Sequence, residues 1–600
     1  MEQTIDQNWE LDSLYPSDVR RIKIEAAMKR IKKKIAGLQN ELHLENRTDN
    51  AESLAEILLE VQQAQSEWFQ IDDFLVCAYA ENVLDNEVKN LMNESAVLKA
   101  ELASCQSEMD QVLASLQPPI WFELTNRREI LPLSFYLEER RQAIQDLLDP
   151  QMEKLIHALS VDGFAGWELH HEEMLNHLQI PLTIDGKQVT IPIQEAWHLA
   201  MFSVKRSARE EAAAAIKNAC EINSELFASI LNRIAGYRLE VYKQRAWNNQ
   251  LKEAVEQNRI EEKSLQSMMS VIEENQDMIT TYLQRKFQLE KIEQPAWYDL
   301  DAPSFATKEK ISYQRAKEII IEQFTAFNAR LGDFARDAFD SGWIESEDRP
   351  NKAGGGFCAS LPVAKESRIF VTFRGSYQDV VTIAHELGHA YHNFVLHEEP
   401  FFAQQKGTSV AETASTFMEN LVMDAVIEQA GSDREKLSLL EMKISNAIKY
   451  VGTIPNMFRF EQKLYEKRKN GRVSAIEIKR LMKETEDELY RGLLKEIDEY
   501  RWMYVTHFYD TEKAFYNIPY TIGYLFSNGI YEMSKEHGPE FFTEYNELLR
   551  NSGRMTVEQL AAYYLEEDVT DVQFWQRSMQ PVRKAVEEYL KMTQQYLEVK

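Results

Sequence analysis

Glycine and proline are scarce in this chain, which has 21 and 16 of them among 600 residues. Both residues interrupt helices, so their scarcity over such a length predicts long helices and few strands. Cysteine is scarcer still, and Cys77, Cys105, Cys220 and Cys358 lie far apart without a C-x-x-C pair. This spacing argues against a zinc site built from cysteines and against a disulfide framework.

Basic residues are also in deficit. Lysine and arginine together number 68 against 97 aspartates and glutamates, which gives a net charge of -29. Nucleic acids and anionic membranes are bound through clustered cations, so we expect neither as a partner. No apolar run approaches the length of a membrane span, and the N-terminus lacks the pattern of a signal peptide. We therefore expect a cytoplasmic protein.

Apolar residues recur every three or four positions over much of the chain, which predicts amphipathic helices. These helices are expected at 21–44, 52–77, 83–115, 135–159, 207–244, 261–291 and 313–339. Two strand regions are expected: a hairpin over Ile180 to Ile193, turning at Asp185-Gly186, and a strand from Arg368 to Arg374. Because 600 residues exceed one hydrophobic core, we predict an N-terminal helical lobe at 1–195 and a second domain at 196–600.

The strongest chemical signal is SYQDVVTIAHELGHAYHNFVL, which follows the second strand. Ser376 and Asp379 resemble a helix N-cap with its acidic partner, so the H-E-x-x-H pattern is expected inside a helix. Positions i and i+4 share one face, so His385 and His389 can bind one zinc ion. Glu386 is rotated by about 100° and would accept a proton from water beside the metal.

A zinc hydrolase needs a third protein ligand. The longer metzincin motif would place glycine and histidine where this chain has His392 and Val395, so that class is excluded. Glu398 and Glu399 precede Pro400 in an expected turn and are interpreted as solvated charges.

Glu412 is the preferred third ligand. It begins the helical run SVAETASTFMENLVMDAVIEQ, in which Ala414 and Ser415 are small enough for close packing on the first helix. Glu419 lies two turns further on the same face and is expected to orient a ligand histidine. Ser409 and Glu412 also match a capping box; in that alternative Glu419 would replace Glu412 as the ligand.

TIAHELGHAYHNF followed by VAETASTFMENL resembles the oligoendopeptidase F branch of the thimet-oligopeptidase-like zinc peptidases. The opening WELDSLYPS and the later HFYDTEKAFYNIPYTIGYLFS also resemble that family, in order, from about residue 9 to about residue 530. The resemblance implies a mainly α, two-lobed fold around a deep central channel that admits short unstructured peptides, with a small β element near the active site. It also implies one Zn²⁺ per chain on His385, His389 and Glu412, with Glu386 as general base in a catalytic domain at 196–600.

The tyrosine-rich segment offers hydrogen-bond donors for the oxyanion that forms during peptide hydrolysis. These donors are His507, Tyr509, Tyr516, Tyr520 and Tyr524. The spacing of four predicts that the last three tyrosines share a helix face, as a packed aromatic stripe also would.

The family resemblance favours His507, Tyr516 and Tyr520 as the catalytic donors. Family members often have an aromatic residue where this chain has Ile518, which leaves open which tyrosine acts.

The Gly-rich segment Lys352 to Leu361 lacks the ending of a phosphate loop and is expected to approach a peptide closely. The strand RIFVTF after it could offer an open edge to an extended peptide.

Two alternatives to an endopeptidase remain at this stage. A zinc carboxypeptidase would need a cation for the terminal carboxylate, and Arg349, Lys352 and Arg374 are candidates. An inactive peptide-binding protein is the other alternative.

Overall fold

The structure is a computed structural model that describes residues 6–44, 49–184, 186–305 and 310–598. Helices dominate the described residues, which confirms the predicted mainly α class. In the first part of the chain the α-helices are α1 (Arg20–Leu42), α2 (Ala51–Glu81), α3 (Asn86–Ser115), α4 (Pro118–Thr125), α5 (Ser134–Gln145), α6 (Pro150–Ser160) and α7 (Gly166–His177). The middle part contains α8 (Ile193–Phe202), α9 (Arg206–Gln244), α10 (Lys252–Asn258), α11 (Glu262–Glu274), α12 (Gln276–Glu290), α13 (Tyr313–Phe327), α14 (Ala329–Asp340) and α15 (Tyr377–Leu396).

The remaining α-helices are α16 (Thr413–Glu428), α17 (Asp433–Ile448), α18 (Ile454–Arg468), α19 (Ala475–Tyr490), α20 (Arg501–Tyr504), α21 (Ile518–His537), α22 (Phe541–Asn551), α23 (Val557–Tyr564), α24 (Val572–Ser578) and α25 (Gln580–Glu598). Short π-helical segments occur at Val161–Ala165 and Lys449–Thr453. No helix of the described residues combines the length and the apolar character that a membrane span needs.

Side-chain caps explain where several helices begin. Asn50 accepts backbone N–H hydrogen bonds at the start of α2, and Asp85 does the same for α3. The predicted helix at 313–339 is interrupted by Asn328, whose extended backbone ends α13 and whose side chain caps α14. Periodicity predicts where helical residues lie, but it does not show that a single capping residue divides them into two helices.

A hairpin joins β1 (Gln179–Ile184) to β2 (Lys187–Pro192). The strands are antiparallel, and Ile184 pairs with Lys187 across a two-residue turn. Gly186 has a φ of +77°, a value that glycine adopts without strain. The hairpin prediction is therefore confirmed, although Asp185 lies outside the described residues.

A second sheet contains three strands in the order β3–β5–β4, with β3 at Ile344–Glu345, β4 at Phe357–Leu361 and β5 at Glu366–Phe370. β5 is parallel to β3 and antiparallel to β4. β5 ends at Phe370 and not at Arg374, and the expectation of an open edge is wrong for Arg368 to Phe370, because both edges of β5 are paired. Pairing depends on residues distant in sequence, so periodicity alone does not distinguish a central strand from an edge strand.

The chain divides into two compact units, each made of separate stretches. The first contains Met1–Asp146, Glu309–Val426 and Ile530–Asp568; the second contains Leu147–Lys308, Ile427–Gly529 and Val569–Lys600. The predicted domain boundary at residue 195 lies within the second unit, and the division at that point stays a prediction.

The core of the first unit brings the three-stranded sheet to the helix that contains H-E-x-x-H. Trp9 is buried and packs against Phe357 and Phe370 of β4 and β5, with ring centroids 6.5 and 5.7 Å away. The same strands contact α15. The small β element therefore lies beside that helix, as predicted.

Candidate metal centre

The H-E-x-x-H residues lie inside α15, and a capping box fixes where this helix begins. The backbone N–H of Asp379 donates to Ser376 Oγ at 3.1 Å, and the backbone N–H of Ser376 donates to Asp379 Oδ2 at 2.9 Å. Both interactions were predicted from the sequence. The cap fixes the start of the helix, and the spacing of four places His385 and His389 on one face.

Three side chains converge at one point in the first unit. The Nε2 atoms of His385 and His389 lie 3.1 Å apart, and Glu412 Oε2 lies 3.4 and 3.3 Å from them. Between 21 and 23% of the surface of each side chain is accessible to solvent, so water reaches the cluster. Among the described residues, this is the group of His, Cys, Asp and Glu side chains that can hold a metal ion.

The spacing of these atoms fits a tetrahedral zinc site. Zinc–nitrogen and zinc–oxygen bonds of about 2.0–2.1 Å place neighbouring tetrahedral ligands about 3.3 Å apart. The three observed separations lie close to that value. Two imidazoles and one carboxylate leave a fourth position for water, as in catalytic rather than structural zinc sites. The residues present therefore fit the metal.

Glu412 is held so that its carboxylate points towards the histidines. It lies just before α16, and Ser415 Oγ donates to its Oε2 at 2.7 Å. Burial would raise the pKa of Glu412, but its hydrogen bond to His389 and the charges of His389 and His385 hold that pKa well below its usual value. The carboxylate thus contacts the two imidazoles, which favours the ligand role over the alternative capping role.

Glu419 contacts the other nitrogen of the first histidine, because its Oε1 lies against His385 Nδ1. Burial opposes protonation of His385, but the charge and hydrogen bond of Glu419 and the charge of Glu412 raise its pKa to about 9. A carboxylate on Nδ1 leaves Nε2 to face the metal and fixes the ring orientation. This is the arrangement expected for an orienting residue.

Glu386 is buried, with 6% of its surface exposed, beside the donor cluster. Burial raises the pKa of its carboxyl, while His385 and His389 lower it. Its Oε2 has no hydrogen-bond partner among the described residues. A buried carboxylate oxygen without a partner is costly, so this atom is available to a water or a substrate.

Two glycines lie close to the residues of this cluster, and sequence reasoning identified neither Gly388 as the counterpart of Ala414 and Ser415 nor Gly356 as a neighbour of Glu386. A Cβ on Gly388 would lie 2.5 Å from Ser415 Cα and 2.6 Å from Ala414 O, so α15 and α16 meet where Gly388 has no side chain. A Cβ on Gly356 would lie 3.5 Å from Glu386 Oε1, which places the Gly-rich segment beside that carboxylate. The small residues Ala414 and Ser415 were the available signal for the first approach.

His392 lies one turn beyond His389 but does not belong to the donor group. It is fully buried, and its Nε2 lies 2.8 Å from Ser552 Oγ. Glu398 and Glu399 are also directed elsewhere: Glu398 pairs with Lys365 at 3.0 Å, and Glu399 pairs with Arg554 at 2.8 Å.

The three favoured oxyanion donors, His507, Tyr516 and Tyr520, lie together in the second unit. His507 Nδ1 is 3.1 Å from Asn517 Oδ1, and the His507 ring stacks on Tyr520 with centroids 5.5 Å apart. The centroid of Tyr516 lies 5.0 Å from His507 and 5.6 Å from Tyr520. His507, Tyr516 and Tyr520 therefore form one aromatic cluster.

The predicted helix face of three tyrosines is wrong, because α21 begins only at Ile518. Phe515 has a φ of +53°, which turns the chain and leaves Tyr516 before the helix. Tyr524 faces a different neighbour and stacks on Tyr450 with centroids 4.6 Å apart. Tyr509 is fully buried, and its ring stacks on the ring of His171 with centroids 3.5 Å apart. Tyr509 therefore has a packing role.

Comparison with known proteins identifies the family. Residues 199–581, more than half of the chain, match the model of peptidase family M3. The chain belongs to peptidase family M3. Residues 113–179 match a second model, described as oligopeptidase F. This M3 peptidase is a metalloendopeptidase, an enzyme that hydrolyses peptide bonds, and the family implies that it binds a metal.

One relative and two solved structures are similar to this M3 peptidase along almost their whole length. An oligoendopeptidase F homolog from Lactococcus lactis subsp. lactis is 21% identical over 579 residues, which is 94% of each chain. The crystal structure of oligoendopeptidase-F from Enterococcus faecium has a TM-score of 0.69 at 14% identity, covering 95% of this chain and 99% of that one. PZ peptidase A with an inhibitor has a TM-score of 0.72 at 16% identity, covering 93% and 97%. These structures share the fold.

Proposed function

We propose that this M3 peptidase is a zinc-dependent endopeptidase that cleaves short, unstructured oligopeptides. The observation that carries this proposal is the triangle of His385, His389 and Glu412, with the unpartnered carboxylate of Glu386 beside it. His385, His389 and Glu412 would hold the ion. Bound zinc would polarise the scissile carbonyl and lower the pKa of water at the site. Two histidines and a glutamate suit zinc, although cobalt or manganese also accept such ligands.

Glu386 is the general base in this proposal. It accepts a proton from the attacking water as the water oxygen bonds to the carbonyl carbon, and its buried oxygen is free to do so. The same proton then passes to the amide nitrogen as the C–N bond breaks, so the leaving amine departs neutral. The Gly-rich segment lies beside that carboxylate, since a Cβ on Gly356 would be 3.5 Å from Glu386 Oε1.

His507, Tyr516 and Tyr520 are proposed to donate hydrogen bonds to the oxyanion. Their mutual ring contacts hold the donors in place before the reaction, and Asn517 fixes the His507 ring through Nδ1. Donors that are ordered in advance need no reorganisation when charge develops on the carbonyl oxygen. Tyr516 and Tyr520 are both candidates for the tyrosine donor, because the rings of both contact the ring of His507.

The carboxypeptidase alternative needs a cation that is free to bind the substrate's terminal carboxylate. Each of the three candidates already has a carboxylate partner. Arg349 pairs with Glu345, and Lys352 lies 3.3 Å from the same residue and donates to Val371 O at 2.7 Å. Arg374 pairs with Asp348 at 3.1 Å. Their pairing favours the endopeptidase.

Hydrolysis of a fluorescence-quenched peptide of about nine residues, blocked at both ends, tests this proposal. Cleavage at an internal bond that stops with a chelator and returns with zinc supports a zinc endopeptidase. Removal of single residues from an unblocked peptide, with no cleavage of the blocked one, would establish the carboxypeptidase instead. Binding of the blocked peptide without cleavage of either would favour the inactive binding protein. The cytoplasmic location and the absence of nucleic-acid and membrane partners stay predictions.

A further inference from the structure

A cavity of about 640 Å³ lies within the second unit, and the proposed catalytic histidine forms part of its wall. His507 and Asn517 both line it, and they are joined by the 3.1 Å contact between Nδ1 and Oδ1. That contact leaves the opposite edge of the His507 ring without a hydrogen-bond partner in the described part of the chain. His507 therefore belongs both to the proposed oxyanion donors and to the wall of this cavity.

The cavity wall is mainly apolar and comes from several elements. Large apolar side chains line it from α8, α12, α17 and α18; they include Trp197, Met201, Leu283, Ile448 and Met457. The volume lies within the range of about 300–1,000 Å³ that small-molecule sites occupy. Such a wall favours an apolar occupant, because transfer of apolar surface out of water is favourable.

The charged groups at the cavity do not favour a charged occupant. Arg501 is nearly buried and pairs with Glu486 at 3.0 Å, so its charge is already balanced. Asp301 and Lys449 add one acid and one base to the lining. No excess of either sign therefore selects an anion or a cation.

We propose that this cavity binds a large apolar side chain, aromatic or branched aliphatic, of the peptide substrate. The inference rests on the proposed function, since it takes His507 to contact the peptide that is cleaved. Because His507 is part of the cavity wall, a side chain of the cleaved peptide is favoured over an unrelated small molecule. The enzyme should therefore prefer such a residue at one fixed position relative to the scissile bond.

The test uses blocked quenched peptides in which phenylalanine or alanine occupies each position around the scissile bond in turn. At one position the wild type should prefer phenylalanine by at least about tenfold in kcat/KM, since a single methylene in an apolar pocket changes this ratio by about 10–200-fold. Met457→Trp, which fills the cavity, should reduce that preference towards unity. Ile222→Trp, on an exposed part of α9 in the same unit, is the matched control and should keep the preference.

Several outcomes would overturn the inference. It fails if the wild type shows no preference at any position, or if Met457→Trp keeps the wild-type preference. Ile448→Trp fills the same cavity from α17 and provides a second test if Met457→Trp does not fold. Calorimetric binding of the same peptides to Glu386→Gln is measured in parallel. If the wild type cleaves no peptide, the proposed function fails. The difference in affinity between phenylalanine and alanine peptides for Glu386→Gln then still tests whether the cavity binds an apolar side chain.

Discussion

The contact between α15 and α16 at Gly388 leads to the most detailed prediction. In Gly388→Ala the new Cβ would lie 2.5 Å from Ser415 Cα, about 0.9 Å short of the 3.4 Å at which ordinary contact begins. The obstructing atoms belong to backbone, so the segment that contains Ala414 and Ser415 must move away. Glu412 directly precedes that segment and must move with it.

The metal site is more sensitive to this movement than the fold is. Overpacking costs about 1–3 kcal/mol, and alanine gains about 0.5–1 kcal/mol over glycine within a helix, so Gly388→Ala should lose about 0–2.5 kcal/mol of stability and still fold. Metal–ligand distances, in contrast, tolerate only about 0.2 Å. A shift of several tenths of an ångström at Glu412 should weaken zinc binding by at least about 10–100-fold, the loss typical of disturbed orienting residues.

Competition with a chromophoric chelator measures the zinc affinity, and thermal unfolding measures the stability. Gly37→Ala is the matched control, because Gly37 lies in α1 of the same unit with nothing within 4 Å of an added Cβ. That variant should keep the wild-type zinc affinity and gain about 0.5–1 kcal/mol in stability. Wild-type zinc affinity in Gly388→Ala would refute the claim that this close approach positions Glu412.

Three further predictions concern the residues around the cluster. Glu419→Gln keeps an oxygen acceptor for His385 Nδ1 but removes its charge, so zinc affinity measured by chelator competition should fall about 10–100-fold; unchanged affinity would exclude the orienting role. His392→Gln should lower the melting temperature, because it disturbs the buried 2.8 Å contact to Ser552, yet leave one zinc per chain by elemental analysis; loss of zinc at wild-type stability would make His392 a ligand. Chelation should lower the melting temperature of the wild type, since an ion at 1,000 times its Kd stabilises the folded state by about 4 kcal/mol, and zinc should restore it. Glu412→Gln should respond much less, and an equal response in both proteins would place the ion elsewhere.

Local sequence signals predicted the metal helix well. The capping box at Ser376 and Asp379 and the spacing of the two histidines are local signals. They depend on residues a few positions apart, so a prediction from them does not require knowledge of distant contacts. Small residues around Glu412 correctly indicated close packing, although Gly388 as its counterpart is visible only when both helices are placed together.

Features that depend on distant contacts or on backbone turns could not be predicted. β5 lies in the centre of its sheet because β3 and β4 pair with both of its edges. Tyr516 follows the left-handed turn at Phe515, so a spacing of four did not imply a shared helix. Gly356 and Glu386 likewise lie close together although they are about 30 residues apart in the sequence.

The central claim is that Glu386 acts as the base beside a metal held by other residues. Glu386→Gln preserves the size of the side chain and leaves His385, His389 and Glu412 intact. The decisive measurement is therefore metal content and turnover of a blocked peptide in this variant, side by side with the wild type. The account predicts one zinc per chain in both proteins and a fall in kcat of about 10²–10⁴-fold in the variant. Turnover within a few-fold of the wild type, with zinc bound, would contradict it.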